Sequence, residues 1–108
     1  MALKANLVID QGTTFASSIE VLDENDNAIE LQNYVARGQM RKTYTSNNAV
    51  DFTTTTSTGI LVISLTAGQT ANITAGRYVY DVELVDSQNT VVRILEGIVT
   101  ITPEVTKT

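Results

Sequence analysis

The sequence predicts an all-β chain, folded as an antiparallel sandwich of roughly seven to nine short strands. Three observations carry this. Apolar residues recur at every second position along most of the chain. No stretch of about a dozen residues repeats them at the 3.6-residue helical period. Threonine, valine and isoleucine, which favour extended backbone, are abundant.

The strands follow in order. Leu3, Ala5, Leu7 and Ile9 share a face opposite Lys4, Asn6 and Asp10, and residues 11–14 form a break. Phe15, Ser17, Ile19 and Val21 make a second strand, and the polar run 23–27 supplies side chains that tolerate turns. A short apolar piece at 28–31 follows. From Tyr34 the alternation resumes, with Tyr34, Ala36, Gly38 and Met40 inward and Arg37, Gln39 and Arg41 toward water. Residues 46–48 mark a loop. Residues 50–58 read as one strand with a hydroxylated outer face at 53–56, and Gly59 separates it from 60–65, where Leu61, Ile63 and Leu65 face one way. Residues 77–85 and 91–102, joined by a turn at 86–90 and closed by Pro103, complete the set. There is no linker and no detectable internal repeat, so residues 1–108 read as one domain.

Composition limits the function. The 43% hydrophobic and 18% charged residues argue against disorder, and no apolar run approaches a membrane span. The net charge is −5, and the cations Lys4, Arg37, Arg41, Lys42, Arg77, Arg93 and Lys107 are scattered. That predicts no nucleic-acid partner. The first residues lack the apolar run and cleavage pattern of a secretory signal, so no export through that route is expected.

The segment LTAGQTANITAGRYVYDVEL, residues 65–84, places two tyrosines two positions apart after Gly76. In immunoglobulin-type sandwiches, a tyrosine two residues ahead of an inward core position returns its hydroxyl to the backbone of the preceding corner. Gly76, Tyr78 and Tyr80 are therefore the candidate structural corner, ahead of the inward Val82 and Leu84. The fold is accordingly expected to be immunoglobulin-like, although it lacks the cysteine pair and tryptophan of antibody domains. This segment, with VVRILEGIVTITPEVT after it and an echo in YVARGQMR, resembles the small immunoglobulin-like domains of tailed-phage baseplate and tail proteins. The resemblance implies a structural role in a virion, with the chain made in the host cytoplasm.

In the final strand, Val91, Leu95, Val99 and Ile101 can face the core. Val92, Ile94 and Ile98 then point outward, beside Val79 and Val85. Two apolar faces need two partners. Val79, Val85, Val92, Ile94 and Ile98 are the candidate interface to another subunit, a second protein or a folded-over terminus. A bulge at Gly97 would tuck Ile98 inside and shrink the patch.

The reactive chemistry is thin. The chain contains neither histidine nor cysteine, which removes the commonest general base, the sulfur nucleophile and thiolate metal sites. Paired carboxylates could still serve a glycosidase, but a sandwich this small offers little cleft. The run from Asp23 to Asn27 opens like a calcium loop, yet Ala28 and Tyr34 stand where glycine and glutamate belong; only a looser oxygen site stays open. Asn72, Ile73 and Thr74 form a glycosylation tripeptide that matters only in a secretory pathway. Arg37, Arg41 and Lys42 form at most a small positive patch. The expectation is a non-enzymatic virion protein without cofactor or metal. It assembles with other virion proteins or as a homo-oligomer through the outer apolar face. The alternative is a module binding a carbohydrate or cell-surface molecule through loops at one end, namely 43–48 with Tyr44 and 86–90.

Overall fold

A computed structural model describes residues 3–106; Lys107 lies outside them. Two sheets stack face to face. The larger has the order β1(Leu3–Lys4)-β9(Val91–Thr102)-β8(Gly76–Val85)-β4(Val35–Arg41)-β5(Ala49–Asp51), with β2(Leu7–Asp10) also on β9. The smaller has the order β3(Phe15–Glu20)-β7(Ile60–Leu65)-β6(Thr53–Ser57). Its strands take the places of B, E and D in an immunoglobulin-like sandwich, while β5, β4, β8 and β9 take those of C′, C, F and G.

The alternation read from the sequence places the core. Met40, Leu61, Ile63, Val82 and Val99 are fully buried between the layers. Phe52 packs between Phe15 and Tyr80, with ring centroids 6.3 and 6.2 Å away.

Several expectations need correction. The first strand does not pair antiparallel: β1 and β2 both run parallel to β9, with Leu3 opposite Leu95 and Ile9 opposite Ile101. Residues 50–58 are two strands. The chain leaves the larger sheet after Asp51, buries Phe52 between the layers and joins the smaller sheet at Thr53. Residues 28–31 form no strand, although Leu31 is buried and Ala28 makes an isolated bridge to Leu22.

The small-residue run before the tyrosines holds a one-turn helix, α1(Ala67–Ala71). Thr66 caps it: its hydroxyl accepts from the Gln69 amide, while the Gln69 side chain accepts from the Thr66 amide. Thr70 is fully buried and donates its hydroxyl to the Thr13 carbonyl at 2.7 Å.

The parity slip in β9 lies at Ile94, not at Gly97. Leu95 pairs with Val82 and Arg93 with Glu83, which leaves Ile94 as the extra residue of a bulge. Gly97 has another task. A Cβ there would stand 2.0 Å from the Ala5 carbonyl oxygen, the atom that accepts the Tyr80 hydroxyl at 2.7 Å.

Candidate functional site

Strand register sets four neighbouring rows on the face of the larger sheet turned away from the core. Ala49, Arg41, Val79 and Ile98 form the first row, and Asp51, Gln39, Asp81 and Glu96 the second. Arg37, Glu83 and Arg93 form the third, and Val35, Val85 and Val91 the fourth. Two charged and polar rows therefore lie between the valines of the fourth row and a first row that is apolar apart from Arg41.

The polar rows satisfy themselves. Arg37 meets Glu83 at 2.8 Å, and Arg93 reaches Asp81 at 3.4 Å and Glu96 at 3.3 Å. Gln39 donates to Asp51 at 2.6 Å and accepts from Arg41, whose other guanidinium nitrogen donates to the Ser46 carbonyl at 2.6 Å. Burial raises the pKa of Asp81 above its ordinary value. Arg93 and Arg41 oppose that shift, while the neighbouring Glu83 and Glu96 reinforce it.

The five candidate interface residues do not share one face. Val79 and Ile98 sit side by side in the first row, and Val85 belongs to the fourth. Val92 pairs with Leu84 on the core side of the sheet, at the rim, where it is 46% exposed. Ile94, displaced by the bulge, packs against the core. The sequence reading missed Val35, 66% exposed and opposite Val85. Its place directly after Tyr34 in an alternating strand marked it as outward, and that signal was legible.

Tyr78 donates its hydroxyl to the Thr74 carbonyl at 2.6 Å, four residues back, and the Lys42 ammonium lies 5.0 Å from its ring centroid. Tyr80 points between the sheets and is 4% exposed; burial pushes its phenol pKa up to about 12. Gly76 starts β8 at a φ of 142°, a conformation that suits glycine.

The two loops expected to act together lie at opposite ends of the sheet. Val35 pairs with Val85 and Arg41 with Val79, so the loop after β4 and the hairpin after β8 point apart. Tyr44, 83% exposed, instead borders an open cleft of about 350 Å³ on the outer face with Gln39, Arg41, Asp81 and Arg93. Asp23 is spent on its own turn, accepting from the Asn25 and Asn27 amides. Among the described residues, no group of three or more acidic, histidine or cysteine side chains is placed to hold a metal.

No family model matches the chain, and no curated protein matches it. Solved structures with a similar fold exist. The sialic-acid-binding region of a Streptococcus sanguinis SK1 adhesin, bound to 3'sLn, aligns over 95% of this chain with a TM-score of 0.52 at 12% identity. An internalin-like protein of Listeria monocytogenes aligns over 95% of this chain with a TM-score of 0.49 at 18% identity. The chain spans 29% and 28% of those two chains. The likeness to the adhesin region is one of fold.

Proposed function

We propose that this chain is a non-enzymatic structural module that docks on a neighbouring subunit of a larger particle, a tailed-phage virion. One observation carries the docking reading. Arg37, Glu83, Arg93, Asp81 and Glu96 are engaged with one another, while the valine row Val35–Val85–Val91 is left without a partner among the described residues. Apolar side chains gathered at one end of a sheet gain by being covered. The virion reading is supported by the resemblance of residues 60–106 to tail and baseplate domains. It is tested by peptide mass spectrometry on tailed particles purified by density gradient from a lysate containing this chain. The chain should co-sediment with intact particles at constant stoichiometry; its absence from them refutes the virion role.

A second reading has one observation in its favour: Tyr44, Arg41 and Gln39 converge on an open cleft, in a fold shared with a sialic-acid-binding region. A planar ring beside hydrogen-bond donors can engage a sugar. A glycan array separates the two readings. Saturable glycan binding that Tyr44→Ala abolishes supports this second one.

A further inference from the structure

In the smaller sheet, β3 is hydrogen-bonded on one side only, to β7. Val21 donates to the Gly59 carbonyl, and the antiparallel register carries that bonded pairing back through Ile19, Ser17 and Phe15. The peptide groups of Ala16, Ser18 and Glu20 therefore point to the open side, where they make no hydrogen bond among the described residues. The first strand, which could have covered this edge, is committed to β9 through both β1 and β2.

The edge is also unguarded. Exposed edges are commonly blunted by lysine, proline or a bulge, and FASSIE contains none of these. Two other edge strands, β5 and β6, are treated differently. β5 is three residues long, and at β6 the Thr54 hydroxyl donates to the Ala36 carbonyl across the layers.

An open cleft of about 580 Å³ runs beside β3, between it and the first strand. Leu7, Ile19, Val21, Ile94 and Leu95 give it apolar walls, and Glu20, Asp23 and Asp26 are the only charged residues lining it among the described residues. A strand laid along β3 would project alternate side chains into this cleft and keep the others in water. The bulge supplies part of the wall by turning Ile94 out of the ladder.

We propose that the open edge of β3 receives an extended segment of a partner protein as an added antiparallel or parallel strand. The segment carries apolar side chains at every second position and a lysine or arginine that meets Glu20 and Asp26. Main-chain hydrogen bonds supply affinity, while the cleft and the acidic rim select the sequence. This site is separate from the valine row of the larger sheet and stands whether or not that row docks.

The test uses the full chain and two capped peptides that alternate valine with threonine, one ending in lysines and one in glutamates. The lysine peptide should bind at millimolar concentration or below and slow hydrogen exchange at the amides of Ala16, Ser18 and Glu20. The glutamate peptide should bind at least about tenfold more weakly, as should the lysine peptide to Ser18→Pro, which removes one edge donor. If Ser18→Pro fails to fold, the exchange pattern of the unaltered chain with the two peptides decides. Unchanged exchange at those three amides, or equal binding of both peptides, overturns the proposal. Protection that appears on raising the protein concentration alone also overturns it, because the occupant is then a second copy.

Discussion

Tyr80 and Asp81 are adjacent in the chain and face opposite environments, so they respond to pH in different ranges. The Tyr80 phenol is held neutral by burial and donates to Ala5. Its pKa is raised from 10.0 to about 12, so the folded state keeps a proton that the unfolded state releases. Its contribution is intact below pH 10, and stability then falls by about 1.4 kcal/mol per pH unit until the folded value is passed. Tyr80→Phe should cost about 1 kcal/mol at neutral pH and remove this alkaline component, as urea titrations at several pH values would show. Asp81 is also raised, by burial. The folded state thus holds a proton above the ordinary carboxylate value, and stability falls as pH rises through that window. Asp81→Asn should gain on the unaltered protein as pH rises through that window. The lost ion pair with Arg93 subtracts little, because both partners are substantially exposed. A urea midpoint difference that shrinks over that interval contradicts the assignment. A third residue-level feature was hidden in the sequence. Asp23 and Asp86 open matching turns: each accepts from backbone amides two and four residues on, and Asp26 and Asn89 both have φ of 64°. The polar composition marked both as turns, but only the geometry shows that the aspartates are consumed by them.

Among the strands, those with one wet face were legible. Tyr34 to Met40 and Leu61 to Leu65 alternate without interruption, and the structure keeps that parity. The crossing at Phe52 was invisible for a physical reason. Val50, Phe52 and Thr54 keep the same inward parity while their backbone changes sheets, so the pattern carries no mark of the switch. The bulge was hidden differently: VVRIL offers apolar residues to both faces, and sliding it by one residue changes little in the pattern. The parallel pairing of β1 and β2 was unreadable, because alternation fixes faces and not neighbours. The capping box of α1 was present as T-A-G-Q, but one turn is too short to show a helical period. Ile94 and Gly97 separate the two accounts of β9. Ile94→Lys should lower the thermal midpoint, since it places an ammonium against the core. Gly97→Ala should destabilise by more than about 2 kcal/mol, because its methyl would meet the Ala5 carbonyl. Scanning calorimetry would report both, and a neutral Gly97→Ala would show that β1 is free to move away.

For the molecule as a whole, the two sheets share one core and leave distinct surfaces exposed. The valine row gives a prediction that keeps assembly separate from folding. Val91→Lys, at a position 46% exposed, should leave the unfolding midpoint nearly unchanged. Any self-association of the unaltered chain seen by light scattering after size exclusion should be lost. An oligomer indifferent to Val91→Lys would move the contact elsewhere, to the β3 edge or the Val79–Ile98 pair. The candidate interface was only partly readable because it depends on where β9 slips. With Ile94 withdrawn and Val92 turned to the rim, the exposed row had to be completed by Val35 from a different strand.

The parallel seam between β2 and β9 joins the second strand to the last, from Leu7 opposite Val99 to Asp10 opposite Thr102. A tensile force applied at the two ends would load these hydrogen bonds sideways and together, where a hairpin would open them one by one. Pulled along that direction, the seam should yield at a higher force than a hairpin with the same number of hydrogen bonds.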